Sequence, residues 1–423
     1  MSSRVIRVFA MSAIALLVGV LAVSPAFATT KVRYPNWQWA EPGFKEIFTA
    51  AAEQFAKENP GAVIDGYVVS PSDYYDKLTI EMKAGNPPDI VMLRDSNIGQ
   101  FISMGQLTPL RGWMKSAGIL DRFVQAQNVV GASNGEIYGM IAFSKTWQLI
   151  YNKKLLDEAG VSVPRTPDEF LKAAKALTVV KDGRTTQYGF ATMTLDKAPL
   201  YTYMLPWVIG MGGAFAKDGK PTATHPNTIK GAAFYKELFD SKVIPLGVEE
   251  PVYRQLFWEG KVAMIVDGPW MLAFVRDKNP DLYPHIGVAL LPFGDRYGTA
   301  GFNLLGVPKG ARNKELALRY LEILARPEYQ RMFLELTNLP PGSKDAMSAE
   351  FLKENPWYPP FIEGIANGTP ITPDGLEAYY LEFETIVQKH ISRMLFRNIA
   401  ADKAMLDLQS ELEEFVARKS PSK

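Results

Sequence analysis

From Lys31 onward the chain alternates short extended runs with amphipathic helical runs, and that alternation limits what it can fold into. Lys31 to Tyr34 reads as a short strand. Phe44, Ile47, Phe48, Ala51 and Phe55 then recur at helical spacing, and Asn59-Pro60-Gly61 stops the run. Ala62 to Val69 is the next strand, Ser72 to Ala84 the next helix, and Asp89 to Leu93 a third, fully buried strand. Such a β-α-β-α-β unit implies a largely parallel sheet with helices on both faces. In open α/β sheets, ligands bind outside the carboxyl ends of the strands. Asn36, Trp37, Gln38 and Trp39 lie just past the first strand; Arg94, Asp95, Ser96 and Asn97 lie just past the third. Two tryptophans, a cation and an anion therefore converge on one edge. Flat aromatic faces beside fixed polar groups suit a small polar ligand. The competing readings are core packing for the tryptophans and a surface ion pair for Arg94 and Asp95.

The alternation then continues. Glu136 to Ile150 is a long strand-like stretch, and Lys153 to Ala159 is a helix ended by Gly160. Thr166 as N-cap, Pro167 at the first helical position and Glu169 three residues on predict a capping box. Tyr188 to Ala191, Lys261 to Val266 and Ile286 to Leu291 read as strands. Thr228 to Leu238, Pro251 to Phe257 and Lys314 to Leu324 read as helices. Gly268-Pro269-Trp270 opens a further helix, and Leu376 to Lys419 is mostly helical, with an apolar stripe at Met405, Leu408, Leu412 and Phe415. At 423 residues the chain is too long for one ordinary core. Two successive α/β units with a helical end read as a two-domain α/β protein.

The first residues read as a leader to be removed. Arg4 and Arg7 form a basic region, Val8 to Val23 is apolar, and Ala26-Phe27-Ala28 is a small-x-small cleavage site. The competing reading, a membrane anchor, needs a run of about 20 residues. Without the two arginines, the formal charge of +1 becomes about −1. That balance weighs against nucleic acid as a partner, which demands concentrated positive charge. The absence of cysteine removes disulfides, thiolate metal sites, cysteine nucleophiles and lipid attachment through an N-terminal cysteine. An exported, unanchored protein is expected in the periplasm, behind an outer barrier. His225, His285 and His390 lack metal-ligand spacing, so neither metal nor cofactor is expected. Gly131-Ala-Ser-Asn-Gly fits a nucleophile-elbow pattern, but Glu136-Ile-Tyr-Gly follows where a helix would be needed.

Several ordered segments carry a family resemblance. They are Asn86-Pro-Pro-Asp-Ile-Val-Met-Leu, Gln100 to Leu110, Gly135-Glu-Ile-Tyr-Gly-Met-Ile with Leu149-Ile-Tyr-Asn-Lys-Lys-Leu-Leu, Val163-Pro-Arg-Thr-Pro-Asp-Glu-Phe, and Phe257-Trp-Glu-Gly-Lys-Val-Ala-Met with Asp267-Gly-Pro-Trp. Together they resemble the extracellular solute-binding proteins of ABC importers, in the sugar-binding group that includes maltose-binding protein. The resemblance implies two interleaved α/β lobes around a central cleft. Lobe one would take residues 29–142 and 293–339. Lobe two would take 145–290 and 342–423, with the hinge near 142–145, 290–292 and 339–341. It implies no catalysis, capture of a small ligand, a carbohydrate, and delivery to inner-membrane permease subunits by a monomer.

It also places site residues. Ser144, Lys145 and Trp147 fall where the chain first crosses between lobes, with Ser-Lys where relatives commonly carry a ligand-binding acid. Asp267, Gly268 and Trp270 match a loop whose tryptophan stacks on sugar in relatives. Trp207, Gly210 and Gly213 match a glycine-rich cleft segment within reach of Tyr201 or Tyr203. Asn303 lies on the returning first lobe, and Tyr379 and Tyr380 lie on late helices for which core packing competes. The expected first wall is Trp37, Trp39, Arg94 and Asp95, and the second Trp207, Asp267 and Trp270. The alternatives are a phosphorylated polyol, motivated by Arg94 and Lys145; ferric ion, motivated by the Tyr379-Tyr380 and Tyr74-Tyr75 pairs; and a periplasmic glycoside hydrolase, which needs two carboxylates at about 5–5.5 or 6.5–9.5 Å. The exported chain is expected to begin at Thr29, and intact-mass measurement of the secreted product checks this.

Overall fold

The computed structural model describes residues 29–70, 73–123, 132–133, 135–196, 200–294 and 296–419. The expected leader lies outside them, as do Ser72 at the expected helix start and Gly131 and Asn134 of the elbow pattern. The Thr30–Pro35 strand runs parallel to Ala62–Tyr67, as successive strands joined by the Phe44–Glu58 helix should. Arg33 O accepts from the backbone N–H groups of Asp89 and Ile90, which brings the third strand, Val91–Arg94, alongside. Beyond it the expectation of a largely parallel sheet fails. The next neighbour is Thr299–Gly306, which runs antiparallel to Val91–Arg94 on one side and to Met140–Thr146 on the other. A local β-α-β argument sees only successive strands, and this one arrives from about 200 residues away.

The second sheet has the order Ile286–Ala289, Gln148–Asn152, Val262–Asp267, Arg184–Ala191, Val179–Lys181. Only Val262–Asp267 against Arg184–Ala191 is parallel; the other pairings are antiparallel. Val262–Asp267 is buried along its whole length, which explains its unbroken apolar run.

Helix signals are mostly obeyed. Lys314–Leu324 has the expected bounds. The Thr166 hydroxyl accepts from Glu169 N at 3.2 Å and Pro167 opens the helix. The reciprocal half of the box shifts by one residue, because Glu169 accepts from Arg165 N. The stretch Glu136–Ile150 is not one strand: it breaks into Glu136–Ile137, Met140–Thr146 and the start of Gln148–Asn152, with Trp147 at the step between the two sheets.

Apolar side chains gather into two cores. One takes buried residues from Val32 to Phe143 and from Ala300 to Leu339, with Ile365. The other takes Leu149 to Phe293 and Phe361 to Phe415, including the predicted stripe at Met405, Leu408, Leu412 and Phe415. No described helix is long and apolar enough to cross a membrane. Gly189, on Arg184–Ala191, lets that strand lie against the Pro167–Ala176 helix, since a Cβ there would overlap the Ala174 carbonyl. Gly189→Ala should cost about 2–3 kcal/mol in urea unfolding. An unchanged midpoint would refute this close packing.

Candidate functional site

The residues that converge lie where the two cores meet. Trp270 is half-buried and packs against both cores. It opens the Trp270–Lys278 helix just past Val262–Asp267. Gly268 has to be glycine there, because a Cβ would occupy the Trp270 ring. Trp147, at the step between the sheets, meets Trp270 edge-on at 6.2 Å. Trp270 Nε1 is buried with no hydrogen-bond partner among the described residues.

Under Trp270 lies a polar knot. Asp267 is fully buried, and its carboxylate accepts four bonds. These come from Arg254 Nε at 2.7 Å, Arg254 Nη2 at 3.0 Å, the Tyr253 hydroxyl at 2.9 Å and Gly268 N at 2.8 Å. Burial opposes the Arg254 charge, yet Asp267 and Tyr253 hold the guanidinium above its ordinary range. Glu250 accepts from the Tyr203 hydroxyl and pairs with Arg254 at 3.4 Å, and Arg254 faces the Trp270 ring at 5.7 Å. The sequence marks Tyr253 and Arg254 only as helical, sets Glu250 just ahead of that helix, and offers Tyr203 as a candidate without its partners. The signal open to reading was the i,i+4 pair Glu250 and Arg254, just before the Val262–Asp267 strand.

The first core contributes the opposite side. Arg94 ends its strand with its guanidinium 5.1 Å over the Trp37 ring. Asp95 opens the next helix, and its carboxylate accepts from Ser96 N at 2.9 Å and Phe302 N at 3.1 Å. Burial pushes Asp95 up, against the opposing pull of Lys145 and those N–H groups. Lys145 lies on Met140–Thr146 opposite Gly301, where a Cβ would sit 2.8 Å from Lys145 Cε. Burial pushes the Lys145 ammonium down to about 8, while Asp95 and Glu250, one from each side, oppose the fall and Arg94 adds to it. Ser144 is fully buried, with its Oγ unpaired among the described residues. Asn303 is buried on Thr299–Gly306, in register with Arg94 and Phe143. Tyr380 and Glu384 close the site from the late helix. Burial raises Glu384, opposed by the Tyr380 hydroxyl and by Arg94.

Several expected site residues are elsewhere. Trp207 is not on the second wall: it is 1 % exposed and packed among Phe170, Phe190, Phe234 and Phe293. Its helix is apolar all round, so sequence could not tell core from cleft. Gly210 and Gly213 serve that packing, against the Phe293 ring and the Thr228 backbone. Trp39 is also structural: its Nε1 donates to Tyr34 O at 2.9 Å and its ring covers Gly66. Tyr201 donates its hydroxyl to Ile371 O. Tyr379 faces away, against Phe415 and Lys419. The Tyr74 and Tyr75 hydroxyls accept from Met92 N and Arg94 N, so the two tyrosine pairs do not converge on a metal. Among the described residues no group of three His, Cys, Asp or Glu could hold one. His225 accepts from Asn227 N at the start of its helix, and His390 pairs with Glu411.

Comparison with known proteins agrees with this fold. A family model described as bacterial extracellular solute-binding protein matches residues 41–331. A maltooligosaccharide ABC transporter solute-binding lipoprotein of Streptococcus pneumoniae is 26% identical over 79% of this chain and 78% of its own length. An arabinooligosaccharide-binding protein of Bacillus subtilis is 27% identical over 79% of this chain and 78% of its own. A maltose-bound structure from T. maritima superposes with a TM-score of 0.79 at 21% identity, covering 91% of this chain and 100% of that one. An ABC transporter solute-binding protein from Thermotoga lettingae bound to tagatose has a TM-score of 0.78 at 21% identity, over 92% and 99%.

Removing Asp267 leaves Arg254 buried without its fork partner. Asp267→Ala should therefore cost about 3–5 kcal/mol in denaturant unfolding, and Asp267→Asn less. Equal losses for the two variants would contradict this account.

Proposed function

This chain belongs to the bacterial extracellular solute-binding proteins, and on that premise we propose that it captures a sugar or oligosaccharide between its lobes for the membrane subunits of an ABC importer. The observation that carries the reading is Trp270, an aromatic face shared by both cores and surrounded by polar side chains. An apolar ring beside fixed donors is what a pyranose or furanose needs. The relatives named for maltooligosaccharides and arabinooligosaccharides support a carbohydrate ligand. The proposed walls are Trp37, Arg94, Asp95, Ser144, Lys145 and Asn303 on one side, and Asp267, Gly268, Trp270 and Tyr380 on the other or at the closing helix.

The lobes take residues 29–142 with 293–339, and 145–290 with 342–423; the division of the two cores supports these bounds except at Phe293, which packs with the second core, and Ile365, which packs with the first. Hinge bending near 142–145, 290–292 and 339–341 would open and close the site. The family exports its members; here the leader ending at Ala28 would direct the chain to the periplasm, where it acts as a monomer. The family and the relatives are binding proteins. The engagement of Asp95 and Asp267 in bonds to backbone and arginine supports a site without catalysis.

A thermal-shift panel of mono- and oligosaccharides is the test. The melting temperature should rise with ligand concentration for at least one carbohydrate. Trp270→Ala should weaken that ligand by about 2 kcal/mol or more. Trp207→Phe, a change inside the core, should alter stability and spare affinity. A panel without any shift would end the carbohydrate reading.

A further inference from the structure

Two cations at the site have donors that meet no acceptor among the described residues. The Arg94 guanidinium lies over Trp37 and makes no hydrogen bond or ion pair with a described residue; only its backbone N–H is engaged, by the Tyr75 hydroxyl. The Lys145 ammonium stands 5.8 Å from the Trp147 ring and likewise has no hydrogen-bond or ion-pair partner among the described residues. The buried Trp270 Nε1–H is a third open donor.

The nearby acceptors, by contrast, are in use. Asp95 takes two backbone N–H groups, and Asp267 takes four donors. Glu250 holds Tyr203 and Arg254, while Glu384 lies beside the Tyr380 hydroxyl and Glu41 beside the Gln38 side chain, each of which pulls its carboxyl down against the upward push of burial. The two unpartnered cations therefore dominate the open capacity, beside the unpartnered Ser144 hydroxyl, which can donate or accept. A neutral hydroxyl brings a donor of its own and would call for free acceptors.

We propose that the carbohydrate bound here bears an anionic group, a carboxylate or a phosphate, held jointly by Arg94 and Lys145. This rests on the carbohydrate reading above and narrows it. The guanidinium fork matches a carboxylate or phosphate edge, and its stacking on Trp37 sets the plane in advance. Lys145 supplies a point charge from inside the protein, where a counter-charge counts for more than in water. Asp95, Glu41, Glu250 and Glu384 face the pair and keep the surroundings from being broadly positive. Selection therefore works through short hydrogen bonds at the anionic group rather than through a long-range field.

Calorimetry on the mature chain tests this with digalacturonate, glucuronate and glucose 1-phosphate against the neutral sugars maltose and galactobiose. An acidic probe should bind about tenfold or more tightly than its neutral counterparts. Its affinity should weaken as pH rises past about 8, where Lys145 loses its proton. Whether the uronates or the phosphate bind decides the source of the anion. Arg94→Gln and Lys145→Gln should each lower the acidic affinity about tenfold and narrow the gap to the neutral sugars, while Lys145→Arg retains it. Neutral sugars binding as tightly as acidic ones would overturn the proposal and leave the carbohydrate reading standing. Binding of no carbohydrate of either kind would end both.

Discussion

The first side of the site hangs on one buried strand, Thr299–Gly306, which lies between strands drawn from distant parts of the chain. Its pairings with Val91–Arg94 and Met140–Thr146 bring Arg94, Asn303, Ser144 and Lys145 to one edge. Its Phe302 N–H binds Asp95. Its Thr299 carbonyl accepts from Thr146, whose hydroxyl in turn accepts from Gln148, and Gln148 accepts from Leu291 N. That relay ties the first crossing of the chain to the second. Backbone pairing in a dry interior leaves no cheap alternative register, because a one-residue slip would turn every side chain to the wrong face.

The second side is organised by a charge rather than by a strand. Asp267 sits at the end of a fully buried strand, where an unpaired carboxylate would be expensive. Arg254, Tyr253 and Gly268 satisfy it together. The arginine so fixed faces the Trp270 ring, and Gly268 leaves that ring its space. Trp270 rests on both cores.

The errors of reading share a physical origin. Trp207 and Trp270 are equally apolar and both lie near glycines, yet one fills a core among four phenylalanines and the other stands between cores. Trp39 looked like a loop aromatic beside Trp37, but its indole N–H found the Tyr34 carbonyl. Direction at a turn depends on which partner is within hydrogen-bond reach, and no spacing rule states that. The places of Glu250, Tyr253 and Arg254 are not legible, because helical residues carry no sign of which sheet edge their helix end meets.

The sequence by itself determined the alternation of strands and helices, the bounds of several helices, and the placing of Arg94 and Asp95 at a strand end. These follow from periodicity, caps and the polarity of open α/β sheets, which are local or one-dimensional properties. Tertiary structure alone decided the antiparallel neighbours of Val91–Arg94, the Asp267 knot and the side to which each tryptophan turns. Those depend on contacts between residues far apart in the chain, such as Phe302 with Asp95, where burial makes each polar group find a partner that its sequence neighbours do not name.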